Sequence, residues 1–205
     1  MADKVFKTSG TIISECLNMK TAIERINKEY AGLAKSSSDW GLSKNFVPGE
    51  GRLDAKLMII GQAPGANEDE QLRPFVGRSG KLLDLLLRKV GIKRGDTYIT
   101  SVVQFFPPGN RLPSKKEVAM CKPFLERQID TIGPRYMIVL GNLSAGTVLG
   151  IGEVAKNHGK LIDKNGRTCL ITFHPAAALR FKDNYGLMLS DFRKLRERMG
   201  KWAQN

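Results

Sequence analysis

The residues best suited to chemistry lie in two stretches far apart in the chain. Residues 61–80, GQAPGANEDEQLRPFVGRSG, follow the apolar run Leu57-Met58-Ile59-Ile60 and end where a leucine-rich segment begins. A strand that runs into a Gly/Pro turn, a polar loop and a helix start is built to hold a ligand. This stretch offers an amide at Gln62, a carboxylate at Glu68 and an aromatic face at Phe75. Its Gly77-Arg78-Ser79-Gly80 turn opens a helix, whose free N–H groups favour a phosphate. The second stretch is the apolar run 169–173, which opens onto His174-Pro175-Ala176-Ala177-Ala178-Leu179-Arg180. An imidazole at a strand end can donate, accept or carry a proton, whereas the chain's other histidine, His158, sits in a Gly/Lys/Asn-rich segment. Between the two stretches, Pro107-Pro108-Gly109-Asn110-Arg111 forms a rigid turn whose amides and guanidinium suit phosphate contacts.

Regular elements must bring these pieces together. Short β-like runs at 57–61, 97–103, 136–141 and 168–173 alternate with helical patterns at 81–90, 115–132, 143–149 and 187–202. A further helix is expected over 11–33, broken by Ser36-Ser37-Ser38-Asp39, with loop as far as Gly51. Such alternation implies an α/β protein with a parallel sheet covered on both faces, and ligands bind at the carboxyl ends of such strands. The loops after Ile60, Val103, Leu140 and Phe173 then share one rim.

The formal charge of +13 over 205 residues, with a pI near 9.8, favours an anionic partner, with nucleic acid first. No apolar run approaches the roughly 20 residues that cross a bilayer, and the N-terminus lacks the apolar centre of a signal peptide. A soluble intracellular protein, cytoplasmic or nucleoid-associated, is expected. Cys16, Cys121 and Cys169 form no paired spacing, which argues against a disulfide framework or a zinc site, and Cys169 reads as core packing. Nucleotide or phosphosugar binding ranks last, because neither Gly-rich nucleotide fingerprint is present.

The ordered set GQAPG…RPFVGRSG, ITSVVQFFPPGNRLP, CKPFLERQI, GPRYMIVLGN and HPAAALR resembles the family-4 uracil-DNA glycosylases over residues 47–182. A chain of this length reads as a single domain, with residues 1–46 as an N-terminal helical extension, and the resemblance implies a three-layer α/β/α Rossmann-like fold, here around a central four-stranded parallel sheet. It also implies a glycosylase of base excision repair that flips a damaged base, uracil first, out of DNA and hydrolyses its N-glycosidic bond; a monofunctional enzyme is expected, since no lysine stands out as a Schiff-base nucleophile, and so is a monomer. Phe75 then stacks on the base, and His174 stabilises the negative charge of the leaving base. Gln62 and Glu68 position water, and Ala63 and Ser101 border the base. Arg78, Ser79, Asn110 and Arg111 hold the DNA backbone, with Leu179 or Arg180 as the wedge in the gap left by the base.

The sequence departs from the family pattern at informative places. Gln62-Ala63 replaces an acid-bearing pair, and an amide cannot act as a general base. Ser101 replaces an asparagine that could pair with both a donor and an acceptor on the uracil edge, which opens an alternative in another deaminated or modified base. A non-catalytic nucleic-acid-binding relative is the other alternative. The family's wedge leucine is Ala178 here. The family's iron–sulfur cluster uses four cysteines, of which only Cys121 is well matched, since Cys16 is followed by Met19 and Phe105 stands at another ligand position. No cofactor is therefore expected, with the N-terminal helix and Phe105-Phe106 filling the space.

Overall fold

A computed structural model of the chain describes residues 9–36 and 41–200, with side chains described at 14–34 and 41–200. The expected break at 37–39 and the end of the last helix at Trp202 lie outside the described residues. Four strands run parallel at the centre: β2 Leu57–Gly61, β3 Thr97–Ser101, β4 Tyr136–Leu140 and β6 Arg167–Thr172. Two antiparallel strands, β1 Glu50–Gly51 and β5 Leu161–Lys164, extend the edges, giving the order β1-β3-β2-β4-β6-β5. The four-stranded expectation is thus the core of a six-stranded mixed sheet. β5 escaped the sequence reading although Asn165-Gly166 links it to β6 with φ of 50° and 73°, the signature of a two-residue hairpin turn.

Alternation along the strands sorts side chains onto two faces. Met58 and Ile60 of β2, with Met137 and Val139 of β4, join one core cluster, under α1 Ser9–Ser36, α4 Lys115–Ile132 and α5 Gly141–Leu149. Leu57 and Ile59, with Ile138 and Leu140, join the other, under α3 Arg78–Lys89 and α8 Asp183–Met199. The result is an α/β/α sandwich. α3 turns its buried Leu83, Leu86 and Leu87 to the sheet, and Arg88 and Lys89 in its last turn suit the negative end of the helix dipole. α4 begins with a capping box in which Ser114 Oγ accepts the Glu117 N–H and Glu117 Oε2 accepts the Ser114 N–H. It ends at Gly133, whose φ of 59° is the usual glycine stop. Three short helices, α2 Ala66–Gln71, α6 Val154–Asn157 and α7 Pro175–Arg180, fall in segments that lack enough apolar periodicity to show in the sequence.

From β2 the chain passes to β3 on one side, and the next strand, β4, lies on the other side of β2. The order of the sheet reverses at this point, and a crevice opens there beyond the carboxyl ends of the strands.

Candidate active site

That crevice is a cavity of about 630 Å³. Gln62, Ala63, Glu68, Phe75, Ser79, Ser101, Asn110, Arg111, His174 and Arg180 all line it, so segments up to 118 positions apart meet as the sequence implied. Arg78 and Leu179 do not line it: Arg78 is exposed at the start of α3, and Leu179 is 43% exposed beside the mouth.

The aromatic wall is fixed before any ligand arrives. Phe75 has φ of 53°, a left-handed conformation that costs a non-glycine residue about 1–3 kcal/mol. Three devices hold it. Arg94 donates to the carbonyls of Pro74 (2.7 Å) and Phe75 (3.3 Å) while its guanidinium pairs with Asp84 at 3.0 Å. Two glycines form the second device. Gly80 lets the first turn of α3 close directly onto the Phe75 carbonyl, where a Cβ would collide with backbone. Gly61 gives the ring its seat at the end of β2, since a Cβ there would stand 2.6 Å from Cζ of Phe75 and 3.1 Å from Ser101 Oγ.

The third device is Glu68. Its Oε2 accepts the Gly65 N–H at 3.1 Å, and its Oε1 accepts the Val76 and Gly77 N–H groups at 2.9 and 2.7 Å. A carboxylate with three backbone donors binds the 65–77 loop into one piece. This revises the expectation of a water-orienting acid: Glu68 borders the cavity, but its contacts belong to the loop that presents Phe75.

His174 caps α7, and its Nδ1 accepts the Ala176 N–H at 3.2 Å. That bond makes Nδ1 the acceptor and leaves Nε2 as the nitrogen bearing the proton. Burial pushes the imidazole down from 6.5 to about 4, so it is neutral at physiological pH. Its ring centroid lies 5.8 Å from that of Phe75. The Gln62 amide lies over Gly141 next to His174, and Ser101, 6% exposed, sits on the opposite side of Gly61 beside the Phe75 ring. A planar ring between these groups meets an aromatic face, a neutral N–H donor, an amide and a hydroxyl.

The rim brings corrections. Arg111 is engaged by a bidentate pair with Glu117 (2.6 and 2.9 Å) and a bond to the Gly41 carbonyl at 2.9 Å. The guanidinium holds the Glu117 carboxyl down at about 2, and in return its own charge is largely answered within the protein. Arg111 thus braces the turn, and the exposed Asn110, with its Oδ1 facing Gly65, is the group this turn presents. Ala178 is buried (7%), and at the mouth stand Phe181, 66% exposed, and Leu112, 69% exposed, both lining the cavity. The sequence reading missed both, although each is a large apolar residue beside an arginine in a polar segment. His158 lies elsewhere, paired with Asp191 at 3.1 Å behind β6.

The residues present do not fit an iron–sulfur cluster. Cys121 is buried, and the rings of Phe105 and Phe124 and the phenol of Tyr30 occupy its surroundings. Cys16 is exposed on α1, 14 residues before Tyr30 and so about 21 Å away along the helix. Among the described residues no three His, Cys, Asp or Glu side chains converge as a metal-binding group.

Residues 48–199 match the family model described as the uracil DNA glycosylase superfamily, a span that leaves out α1. The chain is 46% identical to a type-4 uracil-DNA glycosylase of Pyrobaculum aerophilum over 146 residues, 67% of this chain and 74% of that protein. It is 36% identical to the type-4 enzyme of Sulfurisphaera tokodaii over 188 residues, 86% and 84% of the two chains. To the type-4 enzyme of Saccharolobus solfataricus it is 41% identical over 168 residues, 77% and 78%. With the motif order, the switch-point cavity and the aromatic–histidine pair in agreement, the chain belongs to the uracil DNA glycosylase superfamily, among its type-4 members.

Proposed function

We propose that the protein is a monofunctional DNA glycosylase of base excision repair that takes a flipped uracil into the cavity and hydrolyses its N-glycosidic bond. The observation that carries this reading is the neutral His174, with Nδ1 fixed as acceptor and Nε2 left as donor, opposite the pre-set ring of Phe75. As the bond from C1′ to N1 of the base breaks, its electron pair leaves with the base, and negative charge spreads onto the base carbonyls. A neutral N–H donor gains strength as that charge develops, which lowers the barrier rather than merely tightening binding. Water attacks C1′ and loses a proton to solvent, and the departing base takes one up. With Glu68 committed to its loop, Gln62 and the neighbouring backbone are the polar groups available to orient that water.

The same reading assigns the mouth to DNA. Ser79 and the N–H groups that open α3 favour a phosphate, with Arg78, Asn110 and Arg180 around them. Phe181 and Leu112 stand where side chains can fill the gap left by the extruded base. The same reading takes the protein to be a monomeric intracellular repair enzyme, and no helix among the described residues is long and apolar enough to cross a membrane. The protein is read as working without a metallocluster, with α1 as an extension of a single domain.

Oligonucleotides bearing one uracil, hypoxanthine, xanthine or hydroxymethyluracil, incubated with protein and cleaved with alkali at abasic sites, test the proposal. Uracil release abolished by His174→Ala is the expected result. Ser101 favours a second reading, because one hydroxyl cannot satisfy both the donor and the acceptor on the uracil edge; cleavage confined to another base would support it. Salt-sensitive binding with no cleavage of any substrate would overturn both.

A further inference from the structure

Ser101 ends β3, and the loop that follows it is gripped from the α1 and α4 side of the sheet. Tyr30 of α1 is fully buried beneath it. The hydroxyl accepts the Gln104 N–H at 3.2 Å and donates to the Val102 carbonyl at 3.4 Å, so it binds the backbone on either side of Val103. The phenol ring stacks on Phe124 of α4 at 4.4 Å between centroids with 6° between planes, and Phe105 and Phe46 each lie 5.3 Å away at steep angles. Cys121 touches the same phenol. A second set of bonds holds Gln104 from the side-chain end: its amide meets Gln128 of α4 and Thr100 of β3, and Gln128 in turn reaches Asn27 of α1 at 3.3 Å.

The front of the loop faces the site. Val102 and Val103 N–H groups donate to the carbonyls of Gly61 and Gln62, both at 3.0 Å, so the loop that Tyr30 holds also sets the height of Gln62. The expected filler Phe106 is only partly buried and lies outside this ring cluster, and Tyr30 is its hub. We propose that the Tyr30-centred ring cluster stands in place of a metallocluster as the clamp on the 101–105 loop, with Tyr30 a positioning residue that acts through Ser101 and Gln62. The inference rests on the glycosylase reading for its kinetic part alone.

The tests separate the two parts. Iron and acid-labile sulfide analysis of protein purified without air should give far less than one iron per chain. About four irons per chain would overturn the proposal. Tyr30→Phe keeps the ring contacts and removes only the hydroxyl, so amide exchange at Gln104 should rise at least tenfold while the exchange of the β4 amides stays unchanged. In the same variant, kcat for base release should fall roughly 5- to 20-fold with KM changed less than twofold, and Tyr30→Leu should fall further with no rescue. A misplacement of reacting groups by a fraction of an ångström has effects of this size. Unchanged Gln104 exchange, or unchanged kcat with faster exchange, would show that the phenol does not position the loop. If the wild-type protein releases no base, the glycosylase reading fails, while the exchange and iron measurements still decide whether the clamp exists.

Discussion

Replacing Glu68 with Gln separates a loop organiser from an acid–base group. The carboxylate now accepts three backbone N–H bonds, and hydrogen bonds to a charged partner contribute about 1.5–3 kcal/mol each before neighbours compensate. In Glu68→Gln the amide oxygen can still serve Val76 and Gly77 as a neutral acceptor. The amide nitrogen then faces the Gly65 N–H, donor against donor. One charge-assisted bond is lost and two are weakened, for a net cost of about 2 kcal/mol, which for a chain of this size lowers Tm by about 4–8 °C. Glu68→Ala removes all three acceptors and should cost about 3–4 kcal/mol. Loosening of the Phe75 seat should appear as a raised KM, with turnover by Glu68→Gln reduced less than about tenfold. Thermal denaturation by circular dichroism and steady-state release of uracil from a fluorescent oligonucleotide give both numbers. General acid–base catalysis contributes about 10²–10⁴-fold. If turnover instead dropped by about two orders of magnitude or more at an unchanged Tm, the loop assignment would be refuted and Glu68 returned to the chemistry.

Other perturbations reach the remaining walls. His174 must be neutral, so kcat should stay flat from pH 8 to about 5 and fall with a midpoint near 4; a fall centred near 6.5 would contradict the neutral imidazole. Its folded pKa lies below the unfolded value, so the unfolded chain takes up a proton that the folded one does not, and this group withdraws up to about 3 kcal/mol of stability as pH drops from 6.5 to 4 and nothing further below that. Gly61→Ala drives a methyl into the locked Phe75 ring and should lower kcat/KM at least tenfold at a stability cost of about 1–3 kcal/mol, measured by the same assays. Phe181→Ala combined with Leu112→Ala should reduce excision from duplex roughly 10- to 100-fold and from single strands much less, because stacking replaced at the gap matters where stacking was lost; equal losses on both would reject the assignment. Ser101→Asn should raise the ratio of uracil to hypoxanthine cleavage at least fivefold in competition assays, and an unchanged ratio would remove that side chain from base reading.

Most of the architecture could be read from periodicity because β2 and β4 are apolar throughout, β3 and β6 are rich in β-branched residues, and the long helices carry clear stripes. β2 at 57–61 and α4 at 115–132 fall on their expected boundaries. The site was legible where residue type alone constrains position: His174 after a buried strand and Phe75 between proline and a glycine turn both line the cavity. What escaped depended on three-dimensional partners. Nothing in the acidic run 68–70 reveals that one carboxylate turns inward onto the N–H groups of Val76 and Gly77. Arg111 looks like a phosphate ligand until Glu117, six residues on, is seen to hold it. Tyr30 reads as one more apolar position on a helix, and only the packing of α1 against α4 carries its hydroxyl to the backbone behind Ser101.

The contact between Gly80 and the Phe75 carbonyl joins two duties in one rigid part. The first turn of α3 and the Phe75 ring cannot move independently, since backbone meets backbone there. In the proposed function, where α3 takes a phosphate and Phe75 a base, this contact would act as a fixed gauge between the two. A nucleotide whose sugar pucker or linkage changes that span would then be refused by length before any edge of its base is read.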